Sequence, residues 1–90
     1  MPKTFIVSVK AKHIKKGRPS RSTSCPVALA LKEAGFRRVD VGELDMSVTQ
    51  PKPGQYSRTL PNPRSVTRFV RNFDQHKKVK PFNFKLTLPS

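Results

Sequence analysis

Between Thr4 and Lys10 the chain alternates. Phe5, Val7 and Val9 are apolar while Thr4, Ser8 and Lys10 are polar, the period-two pattern of a strand with one buried face. Residues 11–24 break the pattern: Lys12, Lys15, Lys16, Arg18 and Arg21 are punctuated by Gly17 and Pro19, which reads as a flexible basic loop. From Cys25 the character reverses. In "PVALALKEAG" Pro26 suits a first helical turn, Ser24 or Cys25 suits the cap, and Gly35 suits the residue just past the end.

The stretch 37–49 reads as a second strand with an interruption. Val39 and Val41 share one parity, Leu44, Met46 and Val48 the other, and a bulge at Gly42 and Glu43 would restore a common face. "QPKPG" (50–54) is a turn, and "QYSRTL" (55–60) is a weaker third strand on Tyr56, Arg58 and Leu60. In the next segment Asn62 suits an N-cap and Pro63 a first helical residue. Val66, Phe69, Val70 and Phe73 then fall at i, i+3, i+4 and i+7, one apolar face of a helix. Phe82, Phe84, Leu86 and Leu88 alternate with polar residues in a last strand. The order βαββαβ predicts an α+β fold, ferredoxin-like, with two helices on one face of a four-stranded antiparallel sheet, or a three-stranded one if 55–60 is a loop.

Ninety residues make one domain, 1–90, near the lower end of what one core stabilises, and only 34% are hydrophobic. Charge changes the picture more than size does. Nineteen Lys and Arg face five acids, a formal charge of +14, and self-repulsion of that density favours an anionic partner. Nucleic acid is the partner class this footprint indicates. A membrane surface is not, since no helix pairs a basic face with large exposed apolars. One cysteine excludes an intrachain disulfide and a multi-thiolate metal site. The N-terminal apolar stretch is too short and too alternating for a signal peptide, so a cytoplasmic protein is expected.

Two basic clusters stand out. Residues 10–21 carry six cations and no acid, and residues 64–80 carry six with Asp74 alone against them. Arg64, Arg68 and Arg71 recur on one helix face and suit successive phosphates, which guanidinium forks pair bidentately; Lys77 and Lys78 follow. The plain alternative is a solvated, charge-rich face. A base-stacking RNA-recognition module is excluded, because the third-strand region offers only Tyr56.

His13 and Cys25 form a second candidate, since an imidazole near a thiol at a helix N-terminus is a nucleophile design. Without an orienting third residue, Cys25 reads equally as the small apolar start of a buried helix. A zinc site from Cys25, His13 and His76 lacks ligand count and spacing, and "KKGRPS" lacks the spacing of a phosphate loop. Asp40, Glu43 and Asp45 are expected to offset Arg37 and Arg38 or to keep a sheet edge soluble. No metal or cofactor is expected. The backbone N–H groups near 25–28 are a candidate anion site that would join the basic loop.

"HIKKG", "CPVALALKEAG" and "FVRNFDQHKKVKPFNFKLTLP" together resemble a type of small uncharacterised protein encoded by bacteriophages and prophage-bearing bacteria. The likeness spans most of the chain; 42–60 adds nothing to it. It implies a viral accessory protein in a host bacterial cell and brings no activity with it. It singles out His13, Gly17, Cys25, Pro26, Phe73, Asp74, Pro81 and Phe82. Gly17 is expected in a tight turn and Pro81 at a strand start, while Asp74 would accept from the turn toward 79 and Phe73 and Phe82 belong to the core; His13 has no evident core role.

The leading expectation is a non-enzymatic accessory protein that grips the nucleic-acid backbone, DNA or RNA, through Arg64, Arg68 and Arg71, with Lys12, Lys15, Lys16, Arg18 and Arg21 wrapping it. The alternative is an inhibitor or adaptor for an acidic host protein surface, such as a polymerase, nuclease, defence complex or ribosome.

Overall fold

The alternating first and last segments find each other. In the computed structural model, which describes residues 3–51, 54 and 56–88, β1 (Lys3–Val9) pairs antiparallel with β5 (Phe82–Leu88). The register sets Val7 opposite Phe84 and Phe5 opposite Leu86, so the apolar parity of each strand lands on one face. On the other face Thr4 and Thr87 share a hydroxyl hydrogen bond of 3.0 Å.

The rest of the β structure forms a second sheet, ordered β2-β3-β4, from β2 (Arg37–Val41), β3 (Asp45–Thr49) and β4 (Ser57–Pro61). This corrects the single ferredoxin-like sheet: the fold is α+β, with three helices and two small antiparallel sheets. The cause lies at Gly42–Asp45. The expected bulge is a chain reversal, in which the Gly42 N–H donates to the Asp45 carbonyl at 2.8 Å and Val41 comes to face Met46. A reversal and a bulge both switch parity, so the sequence pattern does not separate them. Leu44 marks the difference: it sits at the turn, 70% exposed, where a strand residue of that parity would be buried. A true irregularity lies earlier, between Arg37 and Asp40, where Arg38 takes a φ of 50°. The third strand is present, shifted to Ser57–Pro61. It is held to β3 by hydroxyl pairs, Ser47 with Thr59 at 2.8 Å and Thr49 with Ser57 at 2.9 Å.

Half of the expected basic loop is helical. α1 (Ala11–Lys16) directly follows β1, and turns fill much of 19–24. α2 (Pro26–Glu33) starts as expected, with Cys25 at the N-cap and Pro26 next, and buries Pro26, Val27, Ala28, Ala30 and Leu31. It closes through Gly35, whose φ of 102° lets the Phe36 N–H reach the Leu31 carbonyl at 3.1 Å. α3 (Arg64–Asp74) closes the same way, with His76 (φ 61°) where a glycine is usual and the Lys77 N–H on the Asn72 carbonyl at 2.9 Å. Its start departs from expectation. Pro63 occupies the cap position, and Asn62 instead donates its amide to the carbonyls of Gly42 at 2.9 Å and Glu43 at 3.1 Å. That side chain therefore fastens the β2–β3 turn to the head of α3.

All of these elements share one core, running from Val7 and Val9 through Val27, Leu31 and Met46 to Val66, Phe69 and Leu88. Gly17 serves it by absence of volume. Its φ of −69° needs no glycine, but a Cβ there would stand 2.5 Å from Pro26 Cδ and 2.7 Å from Pro26 N, so the end of α1 rests directly on the start of α2. Neither a proline ring nor a backbone nitrogen swings aside cheaply. Gly17→Ala is therefore expected to destabilise the protein by about 1–3 kcal/mol, the usual range for overpacking, read as a lowered urea midpoint; an unchanged midpoint would contradict this contact.

Candidate nucleic-acid interface

Every candidate cation, Lys12, Lys15, Lys16, Arg18, Arg21, Arg64, Arg68, Arg71, Lys77 and Lys78, has an exposed side chain. What distinguishes them is whether an acid already holds them. Lys12 lies 2.9 Å from Glu33, and Arg71 lies 2.7 Å from Glu43. Glu43 thus serves α3. Both partners of the Arg71 pair are about half exposed, so it contributes only roughly 0.2–1 kcal/mol, and its effect is to fix Arg71 against the β2–β3 turn. Among the described residues no ion pair engages Lys15, Lys16, Arg18, Arg21, Arg64, Arg68, Lys77 or Lys78.

The two basic segments meet in space. The Ser20 N–H donates to Asp74 Oδ1 at 2.8 Å, which ties the turn after α1 to the last residue of α3. Asp74 therefore does not close its own turn; backbone groups do that, with the His76 N–H on the Phe73 carbonyl at 3.0 Å. Beside this tie a groove is lined by Ile14 and Pro19 on one wall and by Phe73 and His76–Val79 on the other. Ile14, Phe73 and Val79 are half-buried against the core there, and Lys77 and Lys78 stand on the rim. Along α3 the outward face carries Arg64, Thr67, Arg68 and Asn72 around a second shallow concavity. The result is a run of cations from α1 across 77–80 and along α3, in which Lys12 and Arg71 are ion-paired while Lys15, Lys16, Lys77, Lys78, Arg64 and Arg68 are in no ion pair among the described residues.

His13 and Cys25 are not brought together as a pair. His13 is 5% exposed and both ring nitrogens are occupied. Nδ1 accepts from the Lys10 N–H at 2.9 Å, so the ring proton lies on Nε2 and is donated to Glu33 at 2.8 Å. His13 thereby has the core role that the sequence did not reveal: it pins α1 to α2. Cys25 is buried, its Sγ accepts from the Ala28 N–H at 3.5 Å, and burial pushes its thiol pKa up, away from a reactive thiolate. The same contact corrects the expected anion site at the start of α2: a side chain already caps that end, and Pro26 has no N–H. Among the described residues no group of His, Cys, Asp and Glu has the makings of a metal site, and no helix is long and apolar enough to cross a membrane.

Set against protein-family models, curated proteins and solved structures, the chain matches none of them. The site therefore rests on its own geometry.

Glu33 gives that geometry a pH signature. Hydrogen bonds from Lys12, then from His13, hold its carboxyl down at about 2, below the ordinary 4.5. A depressed carboxylate pKa adds stability that is complete above pH 4.5 and is lost as the pH falls toward 2. Glu33→Gln is expected to melt below the wild type at pH 7, with the two curves converging by about pH 2. A gap that stays constant across that range would show that Glu33 carries no such linkage.

Proposed function

We propose that this chain is a non-enzymatic nucleic-acid-binding protein that holds its ligand mainly by the phosphate backbone. The observation that carries the reading is the joining of the two basic segments: Asp74 and the groove walls bring α1 and 77–80 side by side, and Lys15, Lys16, Lys77 and Lys78 there, with Arg64 and Arg68 on α3, are engaged by no ion pair among the described residues. Arg64 and Arg68, four residues apart on one exposed helix face, suit phosphates of one strand. Lys15, Lys16, Lys77 and Lys78 supply further contacts from across the groove. Lys12 and Arg71, already compensated by Glu33 and Glu43, contribute less. The phage-type accessory role implied by the sequence resemblance, in a bacterial host cytoplasm, belongs to the same proposal.

A second reading, an adaptor for an acidic protein surface, draws on Ile6, Leu44 and Tyr56, large apolars 68%, 70% and 82% exposed. Cationic surfaces speed such encounters and exposed apolar residues set how long they last.

Fluorescence anisotropy with labelled duplex DNA, single strand and structured RNA over a salt series separates the two. With six phosphates neutralised, log K is expected to fall with log salt at a slope of about −5 for duplex. Arg68→Glu should weaken binding to all sequences alike and flatten the slope by about 1. Weak binding to every polymer near physiological salt, or a loss confined to one sequence, would overturn the backbone reading.

A further inference from the structure

We propose that the groove between α3 and residues 78–82 receives one unstacked nucleobase, so that the preferred ligand is single-stranded or locally unpaired nucleic acid. The inference rests on the nucleic-acid reading above and adds the form of the ligand to it.

The groove is open to solvent and offers about 250 Å³, below the roughly 300–1,000 Å³ of pockets that hold a whole small ligand. It suits one planar ring of a polymer whose remainder lies outside. Its floor is apolar: Phe69, Val79 and Phe82 line it. Phe69 is nearly buried, and Phe82, half-buried, is the ring that keeps exposed surface, with centroids 4.8 Å apart. This floor is preorganised by its neighbours, since Phe69 stacks on Phe73 at 6.1 Å with planes 5° apart and Phe82 stacks on Phe84 at 5.9 Å. Bases of single strands stack on such rings, and any base can, because each has a π-face.

The rim supplies the other half. Arg68, Lys78 and Lys80 surround the apolar floor, so a base entering it brings its flanking phosphates onto cations. Ser65 and Asn72 complete the wall. A hydroxyl and a carboxamide each donate and accept, which matches the mixed edge of a base better than the acceptor-only carboxylates of an acidic peptide. In a duplex both faces of a base are covered, and the groove stays unreachable without flipping.

The test titrates the whole protein with a short single strand, with the same strand carrying one abasic position stepped along it, and with the matching duplex, all at one salt concentration. The single strand is expected to bind about tenfold tighter than the duplex, and one abasic position to cost about tenfold, within the range for loss of a stacked base. Phe82→Leu, which keeps apolar volume, should abolish the abasic sensitivity and leave duplex binding unchanged. Asn72→Ala, a replacement outside the core, should lower single-strand affinity more than duplex affinity and keeps the test decisive if the Phe82 variant does not fold. Equal affinity for single strand and duplex, or indifference to every abasic position, would overturn the base pocket while the backbone reading stands. Binding of an acidic peptide with no binding of any polymer would overturn both.

Discussion

Carboxylates are the scarce resource of this chain, and the arrangement of its surface follows from where they are placed. There are five against nineteen cations, and three of the five act as ties between segments. Glu33 gathers Lys10, Lys12 and His13 and so holds α1 on α2. Glu43 holds Arg71 and so keeps the β2–β3 turn on α3. Asp74 takes the Ser20 N–H and so draws the turn after α1 to the end of α3. A chain this basic repels itself, and these ties sit where α1, the turns of 18–24 and α3 must approach one another. Lys15, Lys16, Arg64, Arg68, Lys77 and Lys78, engaged by no ion pair among the described residues, stand on the elements that these ties hold.

Packing completes what the ties begin. α1 has only six residues and cannot persist alone, so it depends on His13 reaching back to Lys10 and across to Glu33, and on Gly17 lying against Pro26 without a side chain between them. On the far side the row Phe73, Phe69, Phe82, Phe84 joins α3 to β5 and supports the basic segment 77–80 through Val79. The surface cations are thus carried on an interior that fixes their spacing. A preorganised surface loses less entropy on binding than a loop that must first order.

Much of the fold was legible because local pattern and tertiary contact agree. The alternation at 4–10 and 82–88, the Cys25-Pro26 start of α2 and the i, i+3, i+4, i+7 stripe of α3 all appear where their periodicity puts them. The failures have specific causes. Parity cannot distinguish a bulge from a reversal, so residues 37–49 read as one strand. Asn62 has the composition of a cap, but a three-dimensional demand, the open carbonyls of Gly42 and Glu43, claims its amide. α1 was hidden because its stabilising partner, Glu33, is 20 residues away from His13 in the chain. In the site, the basic residues were legible from composition; their union was not, because it rests on contacts distant in sequence, the Ser20–Asp74 bond and the groove wall of Ile14, Phe73 and Val79. The groove floor escaped notice since Phe69 and Phe82 read as core, which in large part they are.

The measurement that bears most directly on this account is an amide chemical-shift titration of the protein with a short oligonucleotide. If α1, α3 and residues 77–80 form one surface, amides in 15–18, 64–72 and 77–80 should shift together along a single binding curve. Shifts confined to one of these segments, or gathered on the β2-β3-β4 sheet, would contradict it.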